Sequence, residues 1–315
     1  MTAAEPVRLK MVPTSRKGLG VVAIGGQNSQ PAVAVLGAGI MGSAMARRLL
    51  SAGLPVTVWD RSASVRSSLA GAMAAASARE AVRDASVVIT MLPTADVVSS
   101  VVFEGGVADA FVEGCVWAQM GTIGVEATMA VRDRLGAVRP DVVFLDAPVS
   151  GSKGPAEQGQ LLILASGPAA AAGTVGPVFA AIGRKTVWLG EAGKGSQVKL
   201  VVNAYMSVLI EGVAEALELA DRLGIGHQQL EEVIEGGPLD APIADAKLHK
   251  MDQGDFAAEF PLEWALKDVD LAISAAHASD LPLLTALSHQ WHLAVEAGHG
   301  REDVSAARLA LGRQP

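Results

Sequence analysis

The chain has 315 residues, 50% of them hydrophobic and 18% charged, with a formal net charge of -8. That length suits one large or two ordinary domains, and the hydrophobic share speaks for a sizeable core and against wholesale disorder. The negative balance speaks against a nucleic-acid or anionic-membrane surface, and a lone cysteine, Cys115, rules out an internal disulfide framework.

Residues 1–30 carry Arg8, Lys10, Arg16 and Lys17 among scattered Gly, Pro and Ser. The apolar patch at 19–24 is too short and too glycine-rich for a signal-peptide core, so this stretch reads as an extension or as the product of an upstream start codon. With the single cysteine in an apolar run, a reducing, cytoplasmic setting is expected. No apolar run of the ~18 residues that a membrane span needs is expected.

The first organised unit is Ala32-Val33-Ala34-Val35-Leu36 followed by Gly37-Ala38-Gly39-Ile40-Met41-Gly42 and a helical pattern to Leu50. Strand, G-x-G-x-x-G and helix in succession form a dinucleotide-binding fingerprint. The first glycine permits the tight turn, the second lets a pyrophosphate approach the backbone, and the third lets helix pack on strand. The helix N-terminus then offers free N–H groups to the phosphates. A second strand at 55–59 ends at Asp60, placed to bond an adenosine ribose. Arg61 and Ser62 follow and could grip a 2′-phosphate instead, and Asp60 or Ser62 could equally be a helix cap.

Strand and helix go on alternating. Strands are expected at 86–91, 115–119, 142–145, 161–165 and 186–189, with helices at 63–71, 78–84, 95–103, 125–135 and 168–182 and a helix-forming alanine patch at 72–78. This implies a doubly wound, largely parallel α/β sheet whose post-strand loops share the ligand edge. The expected divisions are an extension at 1–30, a dinucleotide-binding domain at 31–192 and an all-helical domain at 193–315. Helices of the last part are expected at 196–223, 227–235, 241–250, 262–278, 283–298 and 302–312. The first is the long helix joining the two domains, roughly 40 Å at ~1.5 Å per residue.

The first half of that helix is apolar nearly all round, which marks a buried helix. Lys199 and Asn203 interrupt it one turn apart on one face. With Ser207, Glu211 and Glu215 they recur every four residues, so the pair could also open a solvated stripe. Asp146-Ala147-Pro148-Val149-Ser150-Gly151-Ser152 follows a strand, and its Ser-Gly-Ser turn offers hydroxyls and N–H groups to a carboxylate. The six histidines, His227, His249, His277, His289, His292 and His299, show no metal-ligand spacing, and no metal is expected.

Taken together, residues 37–42, 146–151, 193–203 and Phe260-Pro261-Leu262 before Lys267-Asp268 give the chain over 32–315 a resemblance to the β-hydroxyacid dehydrogenase family. The run at 150–157 and Asp303-Val304-Ser305-Ala306 look most like the glyoxylate/succinic semialdehyde reductase branch. The resemblance implies that Lys199 is the catalytic acid/base with Asn203 beside it, and that Ser150, Gly151 and Ser152 hold the substrate carboxylate. It also implies that Leu92, Pro93, Thr122 and Lys267 touch the cofactor, with NADP favoured and NAD the alternative. Similar enzymes are homodimers or homotetramers built through the helical domain.

Two positions depart from the pattern. Asp60 stands where that branch usually has Asn, and Pro238-Leu239-Asp240 adds a negative charge near the expected substrate mouth. The related imine reductases lack a lysine at position 199. The expected activity is reduction of a small carboxyl-bearing aldehyde or ketone to the hydroxy acid. The alternatives are a reductase of a larger secondary-metabolite carbonyl and a non-catalytic dinucleotide-binding sensor.

Overall fold

The computed structural model describes residues 30–276 and 280–311. The expectations for residues 1–29, His277 and the last four residues lie outside this range. Six short strands build one parallel sheet: β1 (Val33–Leu36), β2 (Val56–Trp59), β3 (Met73–Ala74), β4 (Val87–Thr90), β5 (Val116–Gln119) and β6 (Val143–Asp146). Their order is β3-β2-β1-β4-β5-β6, so the direction of winding reverses between β1 and β4. Ligands of doubly wound sheets bind at that reversal, outside the carboxyl ends of the strands.

Helices α1 (Ile40–Ser51), α2 (Ala63–Ser67), α3 (Ala78–Ala81), α4 (Ala95–Ser99) and α5 (Val125–Val138) connect these strands. Strands β1, β4 and β5 are buried along their whole length because both sheet faces are covered. One face is centred on Met45, Leu49, Ile89 and Leu145, the other on Trp117 with Phe103, Phe111 and Phe144 around it. Cys115 belongs to this second core, and burial pushes its thiol up to about 12.

Several expectations need correction. The alanine patch at 72–78 is not helical: Met73 and Ala74 pair in parallel with Thr57 and Val58, and the helix starts only at Ala78. Alanine favours a helix in isolation, but β2 offers an unpaired edge that decides the matter. The later strands leave the main sheet. β7 (Val149–Ser150), β8 (Leu161–Ala165) and β9 (Gly183–Trp188) form a second, three-stranded sheet in which β7 runs antiparallel to β8. The five-residue α6 (Lys153–Glu157) and then α7 (Ala172–Ile182) sit between these strands.

After Trp188 the described chain is helical: α8 (Lys194–Leu223), α9 (His227–Ile234), α10 (Pro242–Gln253), α11 (Leu262–Ala275) and α12 (Pro282–Ala294). The end of α12 loosens into a π-helical turn over Val295–His299, and the expected helix at 302–312 is a 3-10 helix over Val304–Ala310. A cluster around Ile210, Leu217, Leu266, Val269 and Trp291 forms the core of this part.

The long helix α8 is not buried all round. Val201 and Tyr205 are 70% and 67% exposed, whereas Asn203, Ser207 and Glu211 are buried. The solvated-stripe reading is therefore overturned for these three positions, and only Glu215 of the stripe is exposed. By length and a mean hydropathy of 1.5, α8 is also apolar enough to cross a membrane, contrary to the expectation that no such run exists. Its polar face packs against α10, α11 and α12, as in the central helix of a helical core.

Candidate active site

The glycine loop shows why two of its three glycines are needed. Gly37 has φ 95°, and a Cβ there would meet the Met91 carbonyl oxygen at 2.5 Å. At Gly42 a Cβ would lie 1.9 Å from the Gly37 carbonyl oxygen, so only glycine allows α1 to start against the loop. Gly39 differs, because a Cβ there would meet nothing within 4 Å. The space before it is open at the sheet edge, where Gly39 and Ile40 are exposed and Met41 is half-buried. Helix α1 has no side-chain cap and no acidic residue in its first turn. Its first N–H groups and its positive dipole end suit a pyrophosphate.

Asp60 is turned inward rather than capping a helix. Its Oδ2 accepts the Ala38 N–H of the glycine loop at 2.9 Å, and its Oδ1 accepts the Ser62 N–H at 2.8 Å. Arg66 donates to the Asp60 carbonyl at 2.5 Å. Arg61, Ser62 and Ser64 are left exposed around this corner.

The turns after β4 and β5 come together at the same edge. A buried chain runs from Trp117 Nε1 to Thr90 Oγ1 (2.9 Å), from the Thr90 hydroxyl to Gln119 Oε1 (2.7 Å), and from Gln119 Nε2 to the Gly121 carbonyl (2.7 Å). It holds the turn that presents Thr122. A Cβ on Gly121 would meet the Leu92 carbonyl at 2.3 Å, so glycine allows this turn to touch the one bearing Leu92 and Pro93.

The helical domain reaches the edge through α11 and α8. Lys267 Nζ donates to the Thr122 carbonyl and pairs with Asp268 Oδ1 at 2.6 Å, while Asp268 Oδ2 accepts the Asn203 amide at 2.6 Å. Lys199, half-buried one turn before Asn203, lies in the field of both Asp268 and Lys267. Burial pushes its pKa below the ordinary lysine value most strongly. Asp268 pulls it up, and Lys267 pushes it further down. Asn203, Lys267 and Thr122 are thus linked through Asp268 and Lys267, with Lys199 one turn before Asn203 in their field.

Asp268 is the residue whose part the sequence reading missed. It is 3% exposed and interrupts the buried apolar face of α11 formed by Leu262, Ala265, Leu266, Val269 and Ala272. An acid inside an apolar helix face needs a partner, which is the signal that could have found it.

The Ser-Gly-Ser segment is part strand and part cap. Ser150 ends β7, Gly151 has φ 132°, and Ser152 precedes α6. Ser150 and Ser152 are half-buried and Gly151 is exposed. Asp240 turns back into its own loop, where its carboxylate accepts the Gly236 N–H at 2.8 Å. Among the described residues one further group, Glu231, Asp245 and His249, brings ligand-type atoms within 4.8 Å of one another. It joins α9 to α10 on the surface, and its histidine lies 3.4 Å from Glu231 and 3.8 Å from Asp245.

Two family models cover this architecture. The NAD binding domain of 6-phosphogluconate dehydrogenase matches residues 32–190, and the NAD-binding domain of NADP-dependent 3-hydroxyisobutyrate dehydrogenase matches residues 193–311. Glyoxylate/succinic semialdehyde reductase 1 of Arabidopsis thaliana is 34% identical over 284 residues, 89% of this chain and 98% of that protein. The chain belongs to the β-hydroxyacid dehydrogenase family. It is an NAD(P)-dependent oxidoreductase by that membership. The chloroplastic reductase 2 of the same plant is 32% identical over 95% of this chain and 82% of its own length. Among solved structures, 3-hydroxyisobutyrate dehydrogenase from Salmonella typhimurium superposes with a TM-score of 0.81 at 30% identity, covering 88% of this chain and 99% of that one.

Proposed function

We propose that this enzyme reduces a small carboxyl-bearing aldehyde or ketone, of the glyoxylate or semialdehyde type, to the hydroxy acid. The observation that carries the reading is the linked set in which Lys267 bonds the Thr122 carbonyl and Asp268, and Asp268 holds Asn203, one turn from Lys199, whose charge Asp268 and Lys267 both influence.

The residues present fit a nicotinamide dinucleotide. The open space before Gly39 and the uncapped start of α1 suit its pyrophosphate, and Leu92, Pro93 and Thr122 line the edge on which it would extend. When bound, such a cofactor supplies the hydride. Lys199 gives its proton to the carbonyl oxygen of the substrate and is left as the neutral amine. Its lowered pKa eases that release, and a proton from solvent restores the ammonium. Asp268 orients the Asn203 amide and offsets the charge of Lys267, so the ammonium of Lys199 is not opposed by an unpaired cation. The 150–152 segment holds the substrate carboxylate, through charge-assisted bonds about twice as strong as neutral ones.

NADP is the favoured cofactor. Asp60 spends its carboxylate on Ala38 and Ser62, which leaves exposed Arg61 with Ser62 and Ser64 to meet a 2′-phosphate. A homodimer is proposed through α8. Val201, Tyr205, Leu219 and Leu223 form an exposed apolar stripe on the side opposite buried Asn203, Ser207 and Glu211.

The test is a panel of short aldehydo- and keto-acids with NADPH and NADH, followed at the nicotinamide absorbance. Acids should be turned over and their esters or amides poorly. Equal kcat/KM for acid and neutral ester would contradict the carboxylate site. The same panel extended to large neutral carbonyls addresses the wider reductase reading.

A further inference from the structure

Asp146 ends β6 and is 1% exposed, and its side chain bonds neither the cofactor edge nor Lys199. All its side-chain bonds go to the junction between the two domains. Oδ2 accepts the N–H groups of Gly193 (3.1 Å) and Ser196 (2.8 Å) and the Ser166 hydroxyl (2.9 Å). Oδ1 accepts the Ser196 hydroxyl at 2.7 Å. Helix α8 begins at Lys194, just after Gly193, its N-cap, which has φ 101°; it has no side-chain cap of its own and no acid in its first turn. Its unsatisfied N–H groups are therefore met by a carboxylate from the other domain.

Position in the chain gives this bond a second consequence. Ser196 stands three residues before Lys199, within one turn of a rigid helix, and Ser150 stands four residues after Asp146. One side chain thus ties the start of the helix that carries the ammonium to the strand end from which the chain runs on to Ser150 and Ser152. Gly195 strengthens the seat: a Cβ there would meet the Leu164 carbonyl at 2.3 Å and the Asp146 carbonyl at 2.9 Å, so α8 starts in direct backbone contact with these strands. Thr128 closes the junction from α5, its hydroxyl 3.1 Å from that of Ser196.

We infer that Asp146 is a positioning residue that sets the distance between Lys199 and the 150–152 segment, and so the reach of the proton donor to a substrate held by its carboxylate. The inference rests on the reading of Lys199 as proton donor. Misplacement by about 1 Å can cost on the order of 10²-fold in rate, so the tether acts on kcat and leaves the distant pyrophosphate site alone.

The experiment compares Asp146→Ala, Asp146→Asn, Ser196→Ala and Lys199→Ala in the full chain. It measures kcat per folded molecule well below each melting transition, together with NADPH affinity. Asp146→Ala should lose about 10- to 100-fold in kcat with NADPH affinity nearly unchanged. Asp146→Asn keeps an acceptor oxygen for the two N–H groups and should recover most of that loss. A residue serving stability alone would lower the melting temperature of Asp146→Ala and leave kcat per folded molecule intact, and that result overturns the inference. Should Asp146→Ala not fold, Ser196→Ala decides. It removes the hydroxyl bond and keeps the backbone, and a severalfold loss in kcat is expected, whereas wild-type kcat overturns the inference. Lys199→Ala separates the two levels. An active Lys199→Ala removes the proton-donor reading and this inference with it, while an inactive one beside a fully active Asp146→Ala removes only the inference.

Discussion

Asp268 on α11 accepts the amide of Asn203 on α8 at 2.6 Å, and its other oxygen holds Lys267 at the same distance. A buried acid therefore sits between a neutral amide and a lysine, and the amide's own residue, Asn203, stands one helical turn from a second lysine, Lys199. Burial lowers the Lys199 pKa, and Asp268 opposes that fall.

The pH profile of reduction follows from this arrangement. The proton donor must be charged, so the rate should fall as pH rises through the Lys199 pKa, which lies below the ordinary lysine value of 10.5. Asp268 raises that pKa and Lys267 lowers it. Asp268→Asn, which keeps an acceptor for Asn203, should move the falling limb to lower pH. Lys267→Met should move it to higher pH. Profiles of kcat for the three proteins check the signs, and a limb that stays in place in both variants would assign it to another group.

Arg61→Ala tests the cofactor corner. The KM for NADPH should rise severalfold or more while that for NADH changes little, because only NADPH carries the 2′-phosphate. A wild-type enzyme that prefers NADH tenfold or more would instead make Asp60, despite its bonds to Ala38 and Ser62, a ribose ligand.

Stability should carry the mark of Glu211. It is 7% exposed, its Oε2 accepts the Trp291 indole N–H at 2.6 Å, and its Oε1 has no partner among the described residues. Burial pushes its pKa from 4.5 up to about 7, with Glu215 adding to the rise and the Trp291 bond opposing it. Below the unfolded pKa both states are protonated. Between that value and about 7 the unfolded chain ionises first, so this group's contribution to stability falls with rising pH, then levels off. Urea unfolding of wild type and Glu211→Gln at about pH 5 and pH 7.5 should show a steeper loss for wild type. Equal losses in the two proteins would contradict the assignment.

The strand, glycine loop and helix at the start of the described chain were legible in the sequence because their signals are local: an apolar run, three glycines at fixed spacing and a following helical pattern. The burial of α8 was not. Apolar residues on nearly every side leave periodicity unable to choose a face, and the core took the side with Asn203, Ser207 and Glu211, where Asp268 and Trp291 supply partners from α11 and α12. Val201 and Tyr205 were left exposed for the same reason. Strand β3 was hidden because two residues carry no pattern of their own and exist as a strand only by pairing with β2. Asp146 was visible as a residue beside the Ser-Gly-Ser segment. Its bonds to Gly193 and Ser196 join positions about fifty residues apart, a relationship that no local spacing encodes.

Turnover by Lys199→Ala decides whether Lys199 donates the proton. Paired measurements of kcat and NADPH affinity should show a loss of ~10²–10⁴-fold in kcat, the usual worth of a positioned acid or base, with affinity almost unchanged. Lys199→Arg should be nearly as inactive, because guanidinium holds its proton too tightly to release it. A folded Lys199→Ala protein that turns over at the wild-type rate would rule out Lys199 as the donor.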